Sequence, residues 1–145
     1  MSVLTDFFGH VGVGLPAKDA QDVVLTNLPE AIAQSGLRLG AGDILPRGMV
    51  VRVGVQASWN LYDRDLLVFL EHAVADFRTM GDALEVVLVD EFDTAEAVLD
   101  WFPDLDLPVT VGPFLGVWRD GELWFCSHGS SANAWLTDRY REVAE

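Results

Sequence analysis

The side chains able to do chemistry are few and scattered along the chain. Cys126 is the single cysteine, which excludes an intramolecular disulfide, a two-cysteine redox centre and a multi-thiolate zinc site. It falls late in an apolar stretch rather than at a helix start, and only His128 nearby in sequence could lower its pKa, so a packed, inert thiol is expected. Ser127-His128 suggests a hydrolase pair, but no Gly-x-Ser-x-Gly elbow is present and neighbours on a strand face opposite ways. Asp90, Glu91 and Asp93 offer three carboxylates to Mg²⁺ or Ca²⁺, without the EF-hand pattern; in so acidic a chain a solvated strand end is the expectation. His10, His72 and His128 lack zinc spacing, and His72 reads as a surface residue. Gly12-Val13-Gly14 has neither a preceding strand nor the Gly-Lys-Ser/Thr ending of a phosphate loop, so it reads as a turn. No catalytic group, metal or cofactor is expected from these patterns.

Composition narrows the classes further. The 145 residues suit one domain, and half of them are hydrophobic, enough for a packed core. Acidic residues number 23 against 9 basic, a net charge of −14. Such a surface repels phosphate backbones and anionic lipid, which disfavours nucleic-acid and membrane partners and leaves basic protein partners open. The first residues lack a basic stretch followed by an apolar run, and no apolar run approaches the ~20 residues that span a bilayer. A soluble, cytoplasmic protein is the expectation.

The elements that would position any site follow from periodicity. Residues 2–8 suit a short helix, ended by Gly9, Gly12, Gly14 and Pro16. Asp22 to Thr26 reads as a short β-branched strand, and Asn27 as the cap of a helix with Pro29 and Glu30 in its first turn. Residues 36–48, rich in glycine, read as a loop. Met49 to Val55 reads as a strand buried on both faces. A long helix follows Trp59, capped by Asn60, with Leu66, Phe69/Leu70, Ala73 and Phe77 on one stripe and Gly81 beyond its end. Leu84 to Val89 is a buried strand and Thr94 to Phe102 a short helix. Phe114 to Trp118 and Leu123 to Cys126 form a hairpin about Asp120-Gly121. Ser130 or Ser131 caps a last helix. The order β-α-β-α-β-α-β-β-α predicts an α/β fold, a mixed central sheet with helices on both faces.

That order resembles the thioredoxin fold, and local residues add to the likeness. Thioredoxins carry a buried strand ending in Ala-x-Trp, then Cys-x-x-Cys at the start of a long helix. Here strand 49–55 leads to Ala57-Ser58-Trp59 and then Asn60-Leu61-Tyr62-Asp63. Thioredoxins later carry a cis-proline, a strand, and an Asn/Asp-Gly-Glu hairpin with its glycine eight positions after that proline. Gly121 stands eight positions after Pro113. Ser127 to Ser131 before Trp135-Leu136 is similar to the approach to the family's last helix. The resemblance implies a thioredoxin-like domain over residues 22–145, with 1–21 an N-terminal extension, and a cis bond before Pro113.

The departures from the family carry the functional expectation. Asn60 and Asp63 stand where the redox cysteines would be, and Gly54 where the family has its buried proton-shuttle aspartate. Thiol–disulfide exchange needs an attacking thiolate and a resolving thiol, and neither is present. The resemblance therefore implies a redox-inactive member. In the family the two loops lie side by side and hold an extended peptide, which requires backbone groups and pockets but no sulfur. Trp59, Asn60, Tyr62 and Asp63 with Gly112, Pro113 and Phe114 become the expected partner-binding set, although Trp59 and Phe114 suit a core edge equally well. An adaptor, chaperone or assembly factor is the leading expectation; some superfamily members without the cysteine pair are hydrogenase-maturation chaperones. Two alternatives stay open: a peroxidase or transferase using Cys126 or a bound thiol cofactor, and an acidic inhibitor of a basic protein.

Overall fold

A computed structural model describes residues 2–10, 17–40, 42–58, 60–92, 94, 96–105 and 112–144. The strand expected over 49–55 is β2 (Met49–Val55), and all but its first residue are buried. It lies parallel to β3 (Asp82–Leu88), with Val51 opposite Leu84 and Val55 opposite Leu88. On its other side it runs antiparallel to β4 (Phe114–Arg119), with Val53 opposite Leu115. The hairpin returns as β5 (Glu122–His128), antiparallel to β4. A two-residue strand, β1 (Arg38–Leu39), pairs parallel with β3 and gives the order β1-β3-β2-β4-β5. The sheet is mixed and open, as the alternation of elements predicts.

Because side chains alternate along a strand, each face of the sheet has its own core. Val51, Val53 and Val55 of β2, with Leu84, Val86 and Leu88 of β3, face the main core. Four helices cover that face: α1 (Val3–His10), α2 (Ala17–Gln34), α3 (Leu61–Thr79) and α5 (Ser130–Ala144). They contribute Leu4, Leu28, Ile32, Leu67, Leu70, Phe77 and Leu136 among others. The opposite face is smaller. There α4 (Ala97–Trp101) and the residues after it bring Val98, Phe102 and Leu105 onto Val87, Val89 and Phe114. The stripe read on α3 is the buried one, and Gly81 (φ 87°) follows its end.

The N-terminal third departs from expectation. Asp22 to Thr26 is not a strand but the middle of α2, and Asn27 is not a cap but a helical residue whose Nδ2 donates to the Val23 carbonyl at 3.0 Å. Val24, Leu28, Ala31 and Ile32 recur at helical spacing and are all buried. That tertiary burial outweighs the local β-preference of a few branched residues. Pro29 sits inside this helix. The first strand lies instead at Arg38–Leu39, in the stretch read as loop. The boundary expected at residue 21/22 falls within α2, and Leu4 of α1 is fully buried in the main core. Glu71 of α3 holds α1 in place: its carboxylate accepts from the amides of Val3 (2.9 Å) and Leu4 (3.0 Å) and from the Ser2 hydroxyl (2.6 Å). Those amides have no helical acceptor of their own.

Candidate functional site

The N-terminus of α3 and the segment before β4 come together, as the resemblance implies. The turn between β2 and α3 is fixed by its backbone groups. The Asn60 amide donates to the Gln56 carbonyl at 2.9 Å, and the Ser58 amide to Asp90 Oδ2 at 2.8 Å. Arg64 reaches back to donate from Nε to the Ala57 carbonyl (2.7 Å) and from Nη2 to that of Ser58 (2.9 Å). Asn60 caps α3, its Oδ1 accepting from the amides of Tyr62 (3.0 Å) and Asp63 (3.3 Å). A residue with extended φ/ψ and a short side-chain acceptor suits that position.

The helical turn that follows divides its side chains sharply. Leu61 and Tyr62 are 67% and 82% exposed. Asp63 is fully buried. Its Oδ2 accepts from the Gln56 amide at 2.7 Å, while Oδ1 has no hydrogen-bond partner among the described residues. Burial pushes the Asp63 carboxyl above the ordinary aspartate range; the Gln56 amide works against that shift and nearby Asp90 adds to it.

The facing segment is close-packed. The Gly112 amide donates to Gln56 Oε1 at 3.4 Å. A Cβ on Gly112 would stand 3.1 Å from Asp63 Oδ2 and 3.3 Å from Gln56 Oε1, so the absence of a side chain permits the approach. The Gly112–Pro113 peptide bond is cis, as expected. The Pro113 carbonyl accepts from the Gly129 amide at 2.8 Å, tying this segment to the start of α5. Phe114 is 1% exposed and lies against Phe102, ring centroids 6.0 Å apart. Of the expected partner-binding residues, Tyr62 stands in the open, Asn60 serves as the cap, and Asp63, Gly112, Pro113 and Phe114 lie beneath. Trp59 is outside the described residues. Sequence reasoning did not single out Gln56 or Arg64, and no motif marks them; nor did it weigh Leu61 as an exposed neighbour of Tyr62.

Gly54 has no room for a side chain. A Cβ there would meet Val89 Cγ2 at 2.8 Å and the Phe102 ring at 2.9 Å. Cys126 is half-buried on β5, against the smaller core. Burial raises its thiol pKa, partly countered by a backbone hydrogen bond at Asp104. Ser127 is half-buried and His128 exposed. Asp90 is engaged with the Ser58 amide; Asp93 is outside the described residues. Among the described residues no cluster of three or more His, Cys, Asp or Glu could hold a metal ion, and no helix is long and apolar enough to cross a membrane. Comparisons with protein families, curated proteins and solved structures find no match.

Proposed function

We propose that the chain is a redox-inactive, thioredoxin-like binding module that holds a protein or peptide segment on the N-terminus of α3, over the buried Gly112–Pro113 segment. The thioredoxin-like reading is supported by the strand order β1-β3-β2-β4-β5, by β4 running antiparallel to β2, and by a cis-proline facing the start of a long helix. One observation carries the functional reading: Leu61 and Tyr62 are 67% and 82% exposed on the first turn of α3, a turn held by the Asn60 cap and by Arg64 on the Ala57 carbonyl. An exposed aliphatic and an exposed aromatic on a rigid base suit the anchor positions of an interface. The backbone and side chains at 60 and 63 hold no thiol, so the surface is left with recognition rather than exchange. A net charge of −14 favours a basic partner through steering.

The enzyme alternative asks Cys126 to react as a thiolate, and its burial opposes that. The test is binding. Replacing an exposed aromatic anchor with Ala often costs ~2 kcal/mol or more. Tyr62→Ala should weaken binding of the partner recovered from the native cell at least tenfold with the melting temperature nearly unchanged. Intact binding with a sharp fall in stability would place Tyr62 in the fold's support and move the functional surface elsewhere.

A further inference from the structure

Asp63 is a buried carboxyl that the proposed docking function does not use. Its Oδ2 has one donor, the Gln56 amide at 2.7 Å, and its Oδ1 is enclosed with no partner among the described residues. The surroundings give an ionised Oδ1 little support. Asp90, from the single 3₁₀ turn over Val89–Glu91 after β3, is the charge that acts on it, and Asp90 Oδ1 is likewise buried without a partner. Arg64, the next residue, directs Nε and Nη2 at the carbonyls of Ala57 and Ser58. Among the described residues Gln56 and Gly112 stand against the carboxyl and bring no charge. The helix dipole at the start of α3 favours the anion, as does the Gln56 amide. Desolvation and Asp90 oppose both, and the net shift is upward, toward tighter binding of the proton.

We propose that Asp63 is a proton-operated latch between the N-terminus of α3 and the Gly112 segment: protonated on Oδ1 it stays enclosed and the two segments are locked, and ionised it draws water in and the turn opens. The step is a protonation equilibrium with solvent and breaks no covalent bond. Its sign follows from linkage. In the closed form the carboxyl binds its proton more tightly than an exposed aspartate does. The stabilisation of the closed form is complete below the ordinary aspartate value and is lost as pH rises through the higher value of the enclosed group. Lowering the pH through the raised Asp63 value therefore stiffens the face that carries Leu61 and Tyr62. The latch stands whether or not a partner docks there.

Two measurements on the full chain test it. A carboxyl-carbon NMR titration should give Asp63 a midpoint above the ordinary aspartate value, and Asp90→Asn should move that midpoint down, because it removes the opposing charge while keeping an acceptor for Ser58. Hydrogen exchange of the Gln56 and Gly112 amides, corrected for intrinsic rates, should lose several-fold protection as pH rises through that midpoint. In Asp63→Asn the step should vanish, with protection staying high. An Asp63 midpoint at or below the ordinary value, or no movement of it in Asp90→Asn, would overturn the latch. So would an exchange step that survives in Asp63→Asn. If Asp63→Asn does not fold, the two readings on the parent and on Asp90→Asn decide the matter alone.

Discussion

Asp63 and Gly112 approach so closely that a Cβ on Gly112 would stand 3.1 Å from the Asp63 carboxylate. This contact joins the first turn of a helix to the strand-entry segment on the far side of the sheet's centre. Gln56 lies between them, giving its amide to Asp63 and taking the Gly112 amide on its side-chain oxygen. Fixing this small triangle holds the base from which Leu61 and Tyr62 project.

Gly112→Ala should therefore destabilise the fold. The new methyl would stand 3.1 Å from Asp63 Oδ2 and 3.3 Å from Gln56 Oε1, so these atoms must give by a few tenths of an ångström, which puts the cost at the low end of the about 1–3 kcal/mol of overpacking. Chemical denaturation should show a lower midpoint with an unchanged slope. An unaltered midpoint would mean that the triangle yields freely and does not brace the site.

Gly54→Asp would introduce the residue type that the proposed thioredoxin-like reading puts there. It should not restore any function, because Phe102 and Val89 occupy the space. A loss of about 1–3 kcal/mol from overpacking is expected, with a further penalty for a carboxylate among apolar groups. Thermal unfolding gives the reading; a variant as stable as the parent would show that Phe102 can leave the position.

The same two glycines mark what could be read from the sequence. The order of β2, α3, β3 and the β4–β5 hairpin was legible because long apolar runs and one helical stripe specify buried elements. Asp120-Gly121 was legible because the hairpin needs positive φ at both residues, here 51° and 84°. Asn60 declared itself as a cap. The strand expected at Asp22–Thr26 is a helix because three β-branched residues say nothing of Leu28 and Ile32 a turn or two onward, which settle the helix by burial. Arg52 and Glu85 were invisible for another reason. They face each other across β2 and β3, 3.6 Å apart and almost fully buried, with the guanidinium 4.8 Å from the Trp101 ring and 5.0 Å from that of Trp118. Nothing local in either strand announces a partner more than thirty residues away. Asp63 belongs to the expected partner-binding set, and only the facing glycine shows why it is enclosed.

Cys126, half-buried, should behave as a weakly reactive thiol. With its pKa raised, little thiolate is present at neutral pH, so an alkylating or disulfide reagent should label it more slowly than free cysteine. Labelling should speed up as pH rises. Cys126→Ser should fold, and the parent should show no turnover above buffer in insulin reduction or in a thiol-dependent peroxidase assay. Peroxidase activity that disappears in Cys126→Ser would establish the enzyme alternative.

The proposed function requires a partner to dock where Leu61 and Tyr62 project. Site-specific photocrosslinking in the native cell tests it most directly, with the photoreactive residue placed at Tyr62 and, as a control, at Trp124 of β5, itself 50% exposed. The account predicts a discrete protein adduct from position 62, lost when Leu61 is also changed to Ala, and none from position 124. No adduct at 62, or the same adduct at equal yield from 124, would contradict it.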